Sequence, residues 1–388
     1  MTNKEKYADW VKTQEHLPVF MQPWWMDAVS AGKEWEVILV FSNQMSDVSS
    51  QQSEDSIASG SGQVDDTVMS PSGTEQEPSR NRAETEQKPM SAVEKQQTAI
   101  DVQRTDVQCT KESESIVAAM PYLSRKKWWM KWILMPQQTQ IGGLWLDEKH
   151  EFTPEELTAV CEEVAKQLAE KKLHYYYQHF PVSSPCPEIF KSLGFKVKER
   201  VTYRLDDLSD LDKVIDKFSR NKKRQLQKAL SLHATKDLTA EEFYAFHQKC
   251  LEQQRKTISY SREFFLVLER KSSRMKQSEI IAIRTADGDL RAAGYIVWDK
   301  DYAHYLIAAE DLEYKNNGAM ALLVLECIKE ARRQGVAFDF EGSMIRGVAQ
   351  HFKQFGGIPA KYYSVEKYYK WWFRFAIWFN FVATWKKR

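Results

Sequence analysis

The chain repeats one short pattern and, around it, one order of predicted elements. Phe190-Lys191-x-Leu193-Gly194 aligns with Phe352-Lys353-x-Phe355-Gly356 at a constant offset of 162 residues. Each pattern ends the second helix of a predicted helix–strand–helix–strand series, over 154–205 and again over 318–365. A five-residue match is weak by itself, but the agreement in order and length indicates an internal duplication. The sequence therefore predicts two similar domains.

Local signals place the elements of each series. In the first half, apolar residues at helical spacing follow Thr153, a helix N-cap residue by type, and strands are predicted at 173–179 and up to Leu205. In the second half, a three-strand meander covers 280–285, 290–298 and 302–309, and a helix follows from Gly318 to Arg333 with Gly335 as its C-cap. A strand at 336–341, a helix at 344–355 and an extended segment from Lys361 complete the series.

A polar segment interrupts the first half. Residues 43–115 contain no Phe, Trp or Tyr and carry 14 acids against 6 bases, whereas the rest of the chain carries 49 bases against 40 acids. The near-zero net charge of +1 is thus the sum of an acidic segment and a basic, aromatic-rich body. Such a segment buries too little apolar surface to offset its ordering entropy, so we predict a disordered insertion in the loop between strands at 35–41 and 115–120.

Composition excludes several classes of protein. The five cysteines form no CxxC pair and the eight histidines show no paired ligand spacing, so neither a disulfide framework nor a metal site is expected. The start of the chain lacks a signal-peptide pattern, and no uncharged apolar run reaches the length of a membrane span. A cytoplasmic protein is expected.

Several motifs resemble the GNAT acyltransferases, and their doubling resembles the FemAB-like peptidoglycan-branching aminoacyltransferases. The matching segments are Phe20-x-Gln22-x-x-Trp25, Pro121-Tyr122, Arg220-Asn221-x-x-Arg224-x-x-x-Lys228-Ala229, Phe338-Asp339-Phe340-Glu341-Gly342-Ser343 and Phe352-Lys353-x-Phe355-Gly356-Gly357. The resemblance implies a mixed α+β fold of two tandem GNAT-like domains, which we place at 1–205 and 206–366. A C-terminal segment follows at 367–388.

The resemblance also implies where an acyl donor binds. In such folds the donor lies between the last meander strand and the strand after the helix, here 302–309 and 336–341. The helix between them starts at Asn316-Asn317-Gly318-Ala319, and a helix N-terminus with a glycine can hold a phosphate, although a simple turn and cap explains the same residues. The donor is expected to be an acyl-CoA such as acetyl-CoA. Met320 departs from the GNAT pyrophosphate signature, and FemAB-like relatives use aminoacyl-tRNA instead.

Carboxylates near this cleft are candidate bases for an attacking amine, which must lose a proton before it reacts. Asp339 and Glu341 alternate along a predicted strand with two phenylalanines, and Glu310 ends the meander. Helix capping or pairing with a nearby cation would explain the same acids.

Other candidates are cations and tyrosines. The resemblance associates Lys353 with catalysis, where it would stabilise an oxyanion or phosphate. Arg224, within the basic run 220–228, and Arg346 are candidate phosphate or substrate contacts, and Tyr295 and Tyr305 are candidate cleft residues. Solvated cations and packed tyrosines are the ordinary alternatives.

Residues 368–388 combine Trp, Tyr and Phe with Lys and Arg. This composition suits the headgroup region of a membrane, so peripheral contact with the inner membrane surface is one interpretation, and a strand and helix packed on the body is the other.

The function predicted from these features is N-acyl transfer from a thioester to an amine, carried by a small molecule or a cell-wall precursor. Two alternatives stay open: an aminoacyltransferase that uses charged tRNA on a cell-wall precursor, and a non-catalytic GNAT-like binding module.

Overall fold

A computed structural model describes residues 1–45, 115–314, 316–342 and 344–375. Twelve strands in this part of the chain form a mixed sheet with helices on its faces, as the predicted α+β class requires. Most of the predicted insertion lies outside the described residues. The strands that flank it pair antiparallel, from Glu36 opposite Tyr122 to Phe41 opposite Ile116, so the predicted hairpin is confirmed.

The elements follow the predicted order. The helices are α1 (Asn3–Val11), α2 (Pro23–Val29), α3 (Pro154–Glu170), α4 (Cys186–Ser192), α5 (Leu211–Asp216), α6 (Arg220–Lys228), α7 (Ala240–Gln253), α8 (Arg262–Arg274), α9 (Ala319–Gln334) and α10 (Arg346–Lys353). The strands are β1 (Glu36–Phe41), β2 (Ile116–Lys127), β3 (Met130–Leu134), β4 (Trp145–Leu146), β5 (Tyr175–Phe180), β6 (Lys196–Leu205), β7 (Leu232–Thr235), β8 (Ser278–Thr285), β9 (Leu290–Trp298), β10 (Tyr302–Glu310), β11 (Ala337–Asp339) and β12 (Ile358–Tyr368).

The two halves exchange their last strands. The sheet order is β1-β2-β3-β5-β12-β6-β11-β10-β9-β8-β7, with β4 paired to β2. The first half thus runs β1-β2-β3-β5 and then meets β12 of the second half, while the second half runs β8-β9-β10-β11 and then meets β6 of the first. Strands β6 and β12 pair with each other over nine residue pairs, Ile358↔Arg204 to Glu366↔Lys196. The exchange joins the halves into one sheet.

The repeated pattern has the same structure in both halves. Gly194 and Gly356 lie just past α4 and α10 with φ of +77° and +79°, a left-handed conformation that glycine adopts without a steric cost. The N–H of each glycine donates to the equivalent lysine carbonyl, Lys191 or Lys353. Phe190 and Phe352 are both buried, and full burial of such a side chain contributes about 1.5–3 kcal/mol to stability.

Three apolar clusters hold the helices on the sheet. One packs α3 and α4 against the first-half strands. The second packs α9 and α10, with Leu226 of α6, on one face of the second-half meander. The third packs α1, α2, α7 and α8 on the opposite face. The second-half meander is therefore covered on both faces, which leaves its cleft to form where strands part within the sheet.

Candidate active site

Strands β10 and β11 part after a short pairing. They pair in parallel at only three positions, Tyr302 to His304 opposite Ala337 to Asp339. Beyond this point β10 continues to Glu310, with an irregular register against β9 between Tyr305 and Ile307. The chain after β11 turns away at Glu341, whose φ of +58° is unusual for a residue with a side chain. The strands therefore splay, with Glu341 near the closed end.

A cavity of about 180 Å³ lies at the open end of the splay, and we call it the Lys222 cavity. Residues of three helices, a loop and the end of β10 line it: Lys222, Gln225, Glu310, Asn316, Gly318, Met320, Ala321 and His351. Three of the predicted site residues, Glu310, Asn316 and Gly318, are thus brought together here. Lys222, Gln225 and His351 join them from α6 and α10.

Lys222 is a buried cation in a helix that is otherwise strongly polar. Lys222 is only 3% exposed to solvent. Its Nζ donates to Oε1 of Gln225 and to Nδ1 of His351, each at 3.1 Å, and lies 4.6 Å from the centroid of the Phe355 ring. Burial lowers the pKa of Lys222 to about 8, while the negative charge of Glu310 opposes that shift. Burial and the neighbouring Lys222 lower the pKa of His351 to about 4, so this imidazole is neutral at pH 7 and able to accept.

The start of α9 adds donors to the same cavity. Gly318 caps the helix with φ of +89°, and the side chain of Asn317 accepts from the N–H of Ala319 at 2.9 Å. Among the described residues, no acceptor bonds to the N–H groups of Met320 and Ala321, which line the cavity. The first turn of α9 contains no acid. Free N–H groups, the positive end of a helix and a buried cation together suit a phosphate.

A different network occupies the closed end of the splay. His304 of β10 is 2% exposed and lies between two carboxylates, with Nε2 3.1 Å from Asp299 Oδ2 and Nδ1 2.6 Å from Glu341 Oε1. Burial would lower the pKa of His304, but the two carboxylates raise it to about 10. Burial raises the pKa of Glu341 to about 7 against the opposing effect of His304. Within the described chain, Oε2 of Glu341 has no hydrogen-bond partner.

Asp339 is held beside this network by β6. Its carboxylate accepts from the hydroxyl of Thr202 and, at 2.8 Å, from Nε of Arg204. Asp339 and Glu341 line a separate, water-sized cavity of about 10 Å³ with residues of both halves. These two predicted acids therefore lie apart from the Lys222 cavity, and the exchanged strand β6 explains why Asp339 has a permanent cationic partner.

The opposite side of β10 borders a cavity of about 330 Å³, which we call the Tyr260 cavity. It is lined by residues without a formal charge at pH 7: Gln138, His247, Leu251, Thr257, Ser259, Tyr260, Leu306, Ile307 and Ala308. Nδ1 of His247 lies 2.7 Å from the Tyr260 hydroxyl, and burial lowers the pKa of His247 to about 4. This cavity suits an uncharged group.

The remaining predicted site residues lie elsewhere. Tyr295 is fully buried with its hydroxyl 2.6 Å from Ser272 Oγ, and the Tyr305 hydroxyl donates to Met320 Sδ at 3.4 Å. Lys353 is exposed, with Nζ 5.9 Å from the centroid of Tyr203. Three further residues line none of these cavities: Ala319 is buried beside the Lys222 cavity, and Arg224 and Arg346 are exposed.

Lys222 was not among the predicted site residues, although the sequence contained a signal for it. Leu226 and Ala229, the apolar residues at this end of the basic run, lie four and seven positions after Lys222. That spacing puts Lys222 on the buried face of α6. His304 had no such signal, because its carboxylate partners come from the turn between β9 and β10 and from the segment after β11. In the described part of the chain, no group of three or more His, Cys, Asp or Glu side chains is arranged to hold a metal ion.

The chain is similar to known proteins in the sequence of one region and in fold. Residues 198–354 match the family model of the acetyltransferase (GNAT) domain, and no curated protein matches the chain in sequence. The crystal structure of FemX is similar with a TM-score of 0.50 at 12% identity, over 65% of this chain and 85% of FemX. A tandem GNAT protein from the clavulanic acid biosynthesis pathway aligns with a TM-score of 0.42 at 13% identity, over 66% of this chain and 80% of that one.

The matched region contains β10, α9, β11 and α10, the elements that form the splay and the Lys222 cavity. The predicted resemblance to GNAT acyltransferases is confirmed for residues 198–354, and the similarity in fold to FemX confirms the predicted fold class. The domain boundary predicted between residues 205 and 206 stays a prediction. Strand β6, which ends at Leu205, pairs with β11 and β12 of the second half, so the sheet is continuous across this position.

Proposed function

We propose that this tandem GNAT-type protein is an N-acyltransferase whose donor binds in the splay of its second half. The observation that carries the proposal is the buried Lys222 ammonium facing the same cavity as the free N–H groups of α9. A phosphate-bearing donor such as acetyl-CoA gains charge-assisted hydrogen bonds from both. The uncharged Tyr260 cavity, on the other side of β10, takes an uncharged part of a reactant.

Glu310 is the proposed base. It lines the Lys222 cavity, whereas Glu341 is buried against His304. In the proposed reaction the acceptor ammonium loses a proton to Glu310, and the free amine then attacks the thioester carbonyl. The C–N bond forms as the C–S bond breaks, and the sulfur leaves as a thiolate that takes up a proton. No covalent enzyme intermediate is needed, since the acceptor attacks the donor directly.

Binding of a panel of donors tests the first step. We expect acetyl-CoA or a longer acyl-CoA to raise the melting temperature of the wild type, and Lys222→Met to abolish that increase. Lys223→Met is the matched control, because Lys223 is the next residue of α6 but pairs with Asp216 at 3.1 Å on the surface. A stabilisation of equal size in wild type and Lys222→Met would refute the proposed donor site.

Aminoacyl-tRNA is the second candidate donor, favoured by the exposed basic face of α6. Arg220, Arg224 and Lys228 are exposed on this helix, beside the cavity that Lys222 enters. Cations on a surface of this kind bind nucleic-acid phosphates and make binding dependent on salt. Transfer of a labelled amino acid from charged tRNA to a UDP-linked muropeptide would favour this donor. Stabilisation by neither type of donor, with no transfer, would leave the non-catalytic module as the function.

A further inference from the structure

Four large aromatic side chains are exposed on one part of the surface. Trp128 is 75%, Trp129 66%, Trp371 73% and Phe375 56% exposed. They come from two places in the chain, the turn between β2 and β3 and the segment after β12. Ring contacts join these places, since the centroids of Trp129 and Trp372 lie 5.1 Å apart and those of Trp132 and Phe373 5.7 Å apart. We call the four exposed residues the aromatic patch.

The turn between β2 and β3, which carries Trp128 and Trp129, has an unusual residue for its backbone conformation. Lys127 pairs with Met130, so Trp128 and Trp129 are the two central residues of a tight hairpin. Such turns favour glycine or asparagine where φ is positive. Trp128 has φ of +55° and is nonetheless largely exposed, so its side chain gains little packing in return. A strained, exposed tryptophan at a hairpin tip indicates a role outside the fold.

The two chain segments that carry the aromatic patch are rich in cations. Residues 124–134 and 367–375 together contain seven Lys and Arg and no Asp or Glu. Lys126, Lys127 and Lys370 are exposed, and within the described residues none of them forms an ion pair. In sequence, residues 376–388 continue the same combination of aromatic and basic residues. The aromatic patch therefore combines exposed apolar rings with exposed lysines of the same two segments, Lys126, Lys127 and Lys370.

We propose that the aromatic patch docks this protein on an anionic lipid surface. Tryptophan with lysine and arginine matches the two parts of a bilayer interface, since the rings enter the headgroup region and the cations meet anionic lipids. No helix among the described residues is both long and apolar enough to cross a bilayer. The proposal stands apart from the proposed function, because the aromatic patch shares no residue with the Lys222 or Tyr260 cavity.

Sedimentation of the full chain with vesicles tests the proposal. We expect binding to vesicles of phosphatidylcholine mixed with phosphatidylglycerol, weaker binding to phosphatidylcholine alone, and a loss of binding as salt is raised. The double variant Trp128→Asn/Trp129→Ser should reduce binding at least about tenfold, and asparagine suits the positive φ of the turn, so the fold is kept. Lys126→Glu/Lys127→Glu should reduce binding to the anionic vesicles at least about tenfold and leave binding to neutral vesicles little changed.

Leu230→Ser is the matched control, because Leu230 is 80% exposed but lies just past α6, outside the aromatic patch. Three results would overturn the proposal: no binding of the wild type to anionic vesicles, an equal loss of binding in the control, or a lipid-free dimer that the tryptophan variant converts to a monomer. The last result would assign the aromatic patch to a second copy of the chain. Acyl transfer to a water-soluble amine, measured in the same variants, should be unchanged.

Discussion

The two halves of the chain share one architecture but begin their long helices in opposite ways. In the first half, Thr153 caps α3 through a reciprocal capping box with Glu156, and Glu155 and Glu156 place two acids in the first turn. In the second half, α9 starts at a glycine, has no acid in its first turn and faces the buried Lys222. A phosphate would be repelled at the first helix and held at the second.

The same asymmetry appears on the strands that follow. At the constant offset of the repeat, Asp339 and Glu341 correspond to Tyr177 and His179. The second-half pair forms ion pairs with Arg204 and His304, whereas the Tyr177 hydroxyl lies 2.8 Å from Nε2 of His179. For this reason we place the proposed chemistry in the second half.

The largest effect is expected when the proposed base is removed. Glu310→Gln keeps the shape of the Lys222 cavity but cannot accept the proton, so the transfer rate should fall about 10²–10⁴-fold. Glu341→Gln should change the rate much less, because Glu341 lines a different cavity. Single-turnover transfer to a soluble amine measures both, and a larger loss in Glu341→Gln would move the base to the closed end of the splay.

Gly318→Ala should be strongly destabilising, because the start of α9 is packed against α6. A Cβ at Gly318 would lie 2.1 Å from the carbonyl oxygen of Gln225, and φ is already +89°. We expect a loss of about 3 kcal/mol or more in unfolding free energy, as α6 is pushed from α9. Gly335→Ala, at the other end of α9, has φ of +74° and open space, so about 1 kcal/mol is expected. Equal losses in urea unfolding would show that α6 does not close on the start of α9.

The pH dependence of stability should have opposite signs for two buried histidines. The pKa of His304 is raised to about 10, so its contribution is complete below the unfolded value near 6.5 and is lost as pH rises toward 10. Burial lowers the pKa of His179 to about 4, so its protonation in the unfolded state weakens the fold as pH falls from 6.5 toward 4. Each slope is at most about 1.4 kcal/mol per pH unit.

Urea unfolding across pH 4–10 measures these slopes. His304→Gln should flatten the alkaline slope and His179→Gln the acidic one. If His304→Gln left the alkaline slope intact, the ion pairs that we assign to His304 would not control it.

The smallest effect is expected in the first half, at the hairpin tip. Trp128→Gly relieves a positive φ and removes only exposed surface, so stability should rise by up to about 1 kcal/mol. Thermal unfolding measures this change, with Trp129→Gly as the control at the neighbouring turn residue. A loss of stability in Trp128→Gly would mean that the ring packs on the fold and was not retained for binding.

Local signals in the sequence predicted most of the elements. The Thr153 cap and the Gly335 end of α9 each depend on a few neighbouring residues, and both lie where the sequence placed them. The repeat predicted two similar halves. The exchange of β6 and β12 could not be predicted from the sequence, because pairing in a sheet depends on residues far apart in the chain.

The candidate site was predicted only in part, for the same reason. Glu310, Asn316 and Gly318 lie close together in the chain, at the end of β10 and the start of α9. The sequence therefore allowed them to be assigned to the same cleft. In the sequence, Lys222 could not be told from the solvated cations of the basic run. In the fold, His351 of α10 and Phe355, just past α10, lie against its ammonium group. His304 acquires its raised pKa from Asp299 and Glu341, which no spacing rule connects to it.

Titration calorimetry of the donor tests the central asymmetry most directly. The donor that stabilises the wild type is titrated into the wild type, Lys222→Met and Lys191→Met, where Lys191 is the exposed first-half lysine that pairs with Glu188. We predict that Lys222→Met weakens binding at least about a hundredfold, through the loss of a charge-assisted contact in a buried site, and that Lys191→Met binds as the wild type does. Undiminished binding by Lys222→Met would contradict the account.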